Sequence, residues 1–272
     1  MRDFRFGVNL LGVEGDFRDQ VRAVEASGAD VLLVPDHLGL IAPFPALVAA
    51  GQVAQRIQLG TFVLNAGFYS PALLERDAGT TNRLTGGRLE LGLGAGYVAD
   101  EFEAAGIAFP SAGKRVAHLT DVVQHVKTNA PDLPIMVAGV GNKVLTLAAQ
   151  HADIVAFSNI PNIDTLAERV EFVKEAAGER IDDLELNLII FELAIDREPN
   201  LSTLRQMQPD ATDEQLMESM NMISGPLDDV VATLTMLRER FGVTYFTVIE
   251  PDETALADLA RLITALRSES TS

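Results

Sequence analysis

The residues able to do chemistry in this 272-residue chain are few, and they recur at one kind of place, the end of an apolar run. The run Asp30 to Pro35 is followed at once by Asp36-His37. An imidazole there can take up or release a proton near neutral pH. The same pair also suits a helix-capping Asp followed by a half-buried His. The run Arg88 to Leu93 leads into Gly94-Ala95-Gly96-Tyr97, where backbone N–H groups can approach a ligand without obstruction by Cβ. Asp100 and Glu101 follow at a predicted helix start. Glu101 there is either a group of the site or a partner for the helix dipole. The run Leu133 to Ala138 ends in Gly139-Val140-Gly141-Asn142-Lys143, which opens a helix and so offers an anion site. Lys143 can add charge there, with Lys114 and Arg115 near it. A plain turn with solvated lysines fits the same residues. Ser158-Asn159-Ile160 ends a further run, and Glu192 interrupts another, where pairing with a buried Arg is the simplest account.

Other chemistries lack their residues. The chain has no Cys, which excludes disulfides and thiolate metal sites. His118, His125 and His151 show no metal-ligand spacing with acids, so no metal is expected. There is no Gly-x-Ser-x-Gly and no thiol to support nucleophilic catalysis.

The elements that must carry these residues alternate with a steady period. Strands are predicted at Phe4 to Leu10, Asp30 to Pro35, Ile57 to Leu64, Arg88 to Leu93, Leu133 to Ala138, Ala152 to Phe157, Leu184 to Leu193 and Val243 to Ile249. Helices are predicted between them, among them Asp16 to Ser27, Phe44 to Gln55, Pro71 to Leu84, Lys143 to His151, Asp164 to Gly178 with Asp164 as N-cap, Thr212 to Met222, and Pro226 to Phe241. Asp252 to Arg267 closes the series. Eight strand–helix units argue a single (β/α)8 barrel over residues 1–267, with 268–272 a frayed tail. A doubly wound sheet would place its Gly-rich loop after the first strand, and Leu11-Gly12-Val13-Glu14-Gly15 lacks that spacing. In a barrel, function gathers at the C-terminal ends of the strands.

Composition sets the outer limits. At 47% hydrophobic the chain can fill a sizeable core, as strands buried on both faces require. No uncharged apolar window is long enough to span a membrane, and MRDFRFGVNL lacks the apolar core of a signal peptide. The cytoplasm is therefore expected. A net charge of −18 argues against nucleic-acid binding.

The stretch LGTFVLNAGFYSPALLERDAGTTNRLTGGRLELGLGAGY joins an apolar strand, a Pro-opened helix, Leu-Thr-Gly-Gly-Arg and Leu-Gly-Leu-Gly-Ala-Gly. This pattern resembles the bacterial luciferase-like superfamily, and within it the branch of oxidoreductases that use the deazaflavin coenzyme F420. The resemblance extends from Phe4 to about Val248. It implies a luciferase-like barrel and a flat tricyclic cofactor, F420 or alternatively FMN. It places His37, with Asp36 and Glu101, as catalytic groups. It places Phe62, Val63, Leu64 and Asn65, Gly94, Ala95, Gly96 and Tyr97, and Gly139, Val140, Gly141 and Asn142 against the cofactor. Members often carry a non-prolyl cis peptide after the third strand, and Phe62–Val63 is the matching bond. An ordinary strand end with a bulge at Asn65-Ala66-Gly67 fits that text as well. The loop Gly139 to Asn142 would lie along the ribityl-phosphate tail.

Two departures stand out. Tyr97 occupies the place where some relatives have a catalytic Glu. The segment between the fourth and fifth strands is short, which implies either an open site for a bulky substrate or a lost one. The function expected is hydride transfer between F420 and a small-molecule substrate, by a homodimer. An FMN-dependent monooxygenase and a non-catalytic cofactor-binding barrel are the alternatives.

Overall fold

Eight parallel strands close on themselves in the computed structural model, which describes residues 2–13 and 15–269. They are β1 (Arg5–Asn9), β2 (Val31–Val34), β3 (Gln58–Thr61), β4 (Leu89–Gly94), β5 (Ile135–Ala138), β6 (Ile154–Phe157), β7 (Glu185–Ile190) and β8 (Val243–Ile249). Each pairs with the next in parallel, β3 pairs β4 through Leu59 and Gly60, and β8 pairs β1 from Arg5↔Tyr245 to Asn9↔Ile249. A short piece, Leu64–Asn65, continues the third strand after a break and pairs with Leu93 and Gly94. The fold is a (β/α)8 barrel, as the alternation predicts.

Alternate residues of each strand face in or out, and both faces are dry. One set packs under the helices, as with Phe6, Val8, Leu32, Leu91, Val137, Val155 and Leu188. The other fills the barrel, as with Val31, Leu33, Phe62, Met136, Ala156, Ile189 and Tyr245. Low in that interior, Glu90 is 3% exposed and accepts hydrogen bonds from Arg5 and from the Tyr245 hydroxyl at 3.2 Å. Arg5 also meets Glu185 at 2.7 Å and lies 4.4 Å over the Tyr245 ring. A buried carboxylate is tolerated only with such partners.

The outer helices are α1 (Phe17–Ala26), α2 (Pro43–Val53), α3 (Pro71–Leu84), α4 (Ala99–Ala104), α5 (Ala112–Asn129), α6 (Asn142–His151), α7 (Ile163–Ala177), α8 (Ser202–Met207), α9 (Asp213–Met217), α10 (Leu227–Phe241) and α11 (Glu253–Glu269). Their starts follow side-chain chemistry. Asp16 caps α1, Pro71 sits in the first turn of α3, and Thr212 and Gln215 form a reciprocal capping box on α9. Asn162, rather than Asp164, caps α7, because its carbonyl oxygen reaches Thr165 N–H at 2.9 Å. Ser268 and Glu269, assigned above to a frayed tail, belong to α11, and the rest of that tail lies outside the described residues. Among the described residues no helix is long and apolar enough to cross a membrane.

The largest departure from expectation follows β7. The predicted single strand to Leu193 stops at Ile190. Residues Glu192–Ile195 instead pair with Met222–Gly225 in a separate two-stranded sheet. The predicted helix Thr212 to Met222 shortens to α9, since Met222 is in that sheet. Asn221, fully buried, ties the excursion to the barrel. Its side chain accepts from Ile160 N–H at 2.6 Å and donates to the Ile189 carbonyl at 2.8 Å. Arg197 bridges Glu192 and the buried Asp258 at 3.1 Å each, so Glu192 is the paired carboxylate its setting suggested.

Candidate active site

At the C-terminal end of the barrel, β2 delivers Asp36 and His37, and the first turn of α4 delivers Glu101. His37 Nδ1 lies 2.8 Å from Glu101 Oε1. The carboxylate is the better screened partner, 16% exposed against 37% for the imidazole. A carboxylate at Nδ1 fixes the ring and its tautomer and leaves Nε2 to exchange a proton with a substrate. Tyr97 meets the same ring edge to face, with centroids 6.2 Å apart. Glu101 thus does more than complement a helix dipole.

Asp36 has a different task. Its Oδ2 accepts the Asn65 N–H at 3.1 Å, and the Tyr69 hydroxyl is turned to the same carboxylate. Burial raises the Asp36 carboxyl above its ordinary range, although the Asn65 N–H, the Tyr69 hydroxyl and His37 pull the other way. Burial, and then the Asp36 charge, push the Tyr69 hydroxyl upward. Asp36 therefore holds the 62–65 segment in place beside His37 and is a positioning group. Tyr69 is a part of this arrangement that sequence reasoning missed. His118 supports the turn that follows, with Nε2 3.0 Å from the carbonyls of both Ala66 and Tyr69.

The Phe62–Val63 peptide is cis, at the position named from the sequence. Phe62 turns into the barrel, where Val63 packs partly buried beside it. Leu64 is fully buried under the helices, so its side chain is withdrawn from the mouth. The glycines of β4 and its loop answer to this segment. A Cβ on Gly94 would lie 2.8 Å from a Val63 methyl, and one on Gly96 would lie 2.1 Å from Asn65 Oδ1. Both distances are too short, so Gly94 and Gly96 are required by these neighbouring side chains. Arg115 then locks the loop, donating to the Gly96 carbonyl at 2.9 Å and the Pro110 carbonyl at 2.6 Å. Its guanidinium lies 4.2 Å over the Phe109 ring. Ala95 is packed against the core, and Tyr97 is 71% exposed.

The β5–α6 loop behaves differently. Gly139 is crowded by Val144, whereas a Cβ on Gly141 would meet nothing within 4 Å. Asn142 starts α6 and its side-chain oxygen accepts from Arg169 at 2.8 Å. The first N–H groups of α6 have no acceptor within the helix, as at any helix start. A cleft of about 400 Å³ beside them is lined by Gly113, Val116 and Thr120 of α5 and by Asn142, Lys143 and Thr146 of α6. A second cavity, about 410 Å³ on α10, holds no residue of the candidate site.

Beneath the mouth the top layer of the barrel is apolar, formed by Phe62, Val63, Ala138, Phe191 and Ile249. Asn9, paired in register with Leu33 and Ile249, is the exception. It is 2% exposed, its amide approaches the Phe62 carbonyl at 3.5 Å, and its Oδ1 has no hydrogen-bond partner. Buried polar atoms are normally satisfied, so this one asks for a donor. Asn9 went unnoticed in the sequence, where only its place at the end of the first strand marked it. Asn159 accepts from Gln208 at 2.9 Å, which ties the β6 end to the excursion.

The barrel, the cis bond and the His–Glu pair together make the mouth of this barrel the candidate site. Residues 12–226 match the luciferase-like monooxygenase family, and the chain belongs to it. An F420-dependent glucose-6-phosphate dehydrogenase from Mycolicibacterium fortuitum is 26% identical over 267 residues, 84% of this chain and 79% of that one. A 5,10-methylenetetrahydromethanopterin reductase from Archaeoglobus fulgidus is 28% identical over 184 residues, 60% of this chain and 55% of that one. Among solved structures, the coenzyme F420 dependent tetrahydromethanopterin reductase from Methanopyrus kandleri superposes with a TM-score of 0.78 at 18% identity, over 97% of this chain and 100% of that one.

Proposed function

We propose that this protein is an oxidoreductase that transfers hydride between the deazaflavin coenzyme F420 and a small organic substrate. The observation that carries the reading is the His37–Glu101 pair, 2.8 Å apart, beside the Phe62–Val63 segment at the mouth of the barrel. The cofactor would supply the hydride chemistry. The chain would supply a proton at His37, a wall at Val63 and an apolar floor of Phe62, Phe191 and Ile249. The residues present fit such a group. A flat ring suits the apolar floor, and the orphaned Asn9 Oδ1 could accept from a ring N–H. A phosphate-bearing tail suits the open Gly141, the start of α6 and Lys143. The relative at 26% identity is named as F420-dependent and the one at 28% as a reductase, which supports the same reading.

The family description favours a second reading, an FMN-dependent monooxygenase in the same barrel. Titration of the purified protein with F420 and with FMN, followed by cofactor fluorescence, separates the two. Saturable binding of F420 at a lower concentration than FMN is expected. Tighter FMN binding, with oxygen uptake on reduction, would establish the second reading in place of the first. Binding of neither would remove both.

A further inference from the structure

We propose that Phe102, seated on Gly67, is the residue that holds Glu101 against His37 and so positions the proton-transfer pair. The contact itself is independent of any reaction, and its effect on rate rests on the hydride-transfer reading above.

Glu101 reaches His37 from a helix with little to fix it. α4 has six residues. So short a helix does not hold itself together in water and takes its place from packing. Among the described residues no side chain caps its start, and within it Phe102 alone is buried, at 1% exposed. Glu101 is the neighbour of Phe102 in the chain, so the seat of the ring sets the direction of the carboxylate.

That seat is specific. A Cβ on Gly67 would lie 2.6 Å from two atoms of the Phe102 ring, so the ring lies directly on the Gly67 backbone. The Phe68 ring stands 5.3 Å from it between centroids, and Phe109 meets it edge to face at 5.1 Å. Arg115 lies over Phe109 while it holds the Gly96 and Pro110 carbonyls.

The seat is tied back to His37 by a second route. Gly67 N–H donates to Asn65 Oδ1 at 3.0 Å, Asn65 N–H donates to Asp36 Oδ2 at 3.1 Å, and Asp36 precedes His37. With His37 Nδ1 2.8 Å from Glu101, the contacts close a ring through His37, Glu101, Phe102, Gly67, Asn65 and Asp36. Its links are peptide bonds and hydrogen bonds, save for the packing of Phe102 on Gly67. That packing therefore decides whether Glu101 stays with His37.

The test uses the whole protein. Gly67 has no positive φ, so its backbone accepts Ala, and Gly67→Ala acts through the crowded Phe102 ring. Phe102→Leu fills less space, so it should loosen the pair beside Gly67 and restore it when added to Gly67→Ala. Nitrogen NMR at about pH 9, where an ordinary imidazole is neutral, reports which ring nitrogen of His37 carries the proton. Wild type should carry it on Nδ1, where Glu101 accepts it. Each single variant should move it toward Nε2, the form an unpartnered imidazole prefers, and the double variant should return it to Nδ1. With cofactor bound, each single variant should slow single-turnover hydride transfer by up to about fivefold, the loss expected of Glu101→Gln. Neither should slow Glu101→Gln further, since both act through Glu101. A wild-type ring protonated on Nε2, a proton kept on Nδ1 in the single variants, or a further loss in the Glu101→Gln background overturns the proposal. Phe102→Leu decides the matter alone if Gly67→Ala does not fold. Failure of both cofactor titrations removes the rate comparison with the reading it rests on, and the NMR result still decides the proposal.

Discussion

Glu101→Gln tests the proton-transfer pair without disturbing its shape. Gln keeps a side-chain oxygen at nearly the same place, so the 2.8 Å contact with His37 Nδ1 can persist while the negative charge is lost. In a medium of effective dielectric about 20, two unit charges about 4 Å apart attract by roughly 4 kcal/mol. His37 is 37% exposed, so solvent screening reduces that to about 1 kcal/mol. A step in which the imidazole carries charge should therefore slow by about fivefold in kcat, with the cofactor dissociation constant unchanged. His37→Ala removes the proton carrier itself, and the cost should be about 10²–10⁴ in kcat. Because the two residues act as a unit, the double variant should be no slower than His37→Ala alone. The assay is single-turnover oxidation of reduced cofactor by a saturating hydride acceptor, alongside a cofactor titration of each variant. Equal rates for wild type and His37→Ala would take His37 out of the chemistry. A weaker cofactor complex with an unchanged rate would make Glu101 a structural contact only.

Two further substitutions test the surroundings. Burial raises the Asp36 carboxyl, so the folded state holds its proton to higher pH than the unfolded chain does. That contribution to stability is present below the unfolded value, near 3.8, and is lost as pH rises through the folded one. Asp36→Asn, whose oxygen can still accept the Asn65 N–H, should therefore raise Tm at pH 7. The gain should vanish below about pH 3.8, and a gain of equal size at both pH values would refute the assignment. Asn9→Leu should leave Tm the same or higher, because it removes an unsatisfied oxygen. It should also weaken cofactor binding by about two- to tenfold, the worth of one hydrogen bond, and an unchanged titration would leave Asn9 without a ligand role.

How much of this was legible in the sequence depends on how far apart the determining contacts lie. The barrel was legible because parallel strands dry on both faces write themselves as continuous apolar runs, such as Val31 to Val34 and Ile154 to Phe157. The position of Asp36 and His37 followed from the end of such a run. Their contacts did not, and Glu101 was named only through the family resemblance. Glu101 lies 64 residues beyond His37, and nothing in either neighbourhood specifies that the loops after β2 and β4 meet. The glycines carry a requirement that was hidden for a related reason. Gly94 and Gly96 look like openings for a ligand, and the space a missing Cβ leaves is claimed also by Val63 and Asn65, which arrive from the preceding unit. The excursion after β7 was hidden in the same way. Phe191 continues the apolar run of β7 and Leu193 resumes it after Glu192, and only the Asn221 contacts and the pairing with Met222–Gly225 divert the chain. A local period therefore fixes where the strand ends lie, and non-local side-chain contacts decide what stands over them. The same division explains why the 62–65 segment is so heavily supported. Asp36, the Gly94–Gly96 loop and His118 come from three separate parts of the barrel, the first two meeting residues 63 and 65 and the last the carbonyls of Ala66 and Tyr69 just beyond. Support from so many sides is what a site needs when a proton donor must be held beside a flat ring with little freedom to shift.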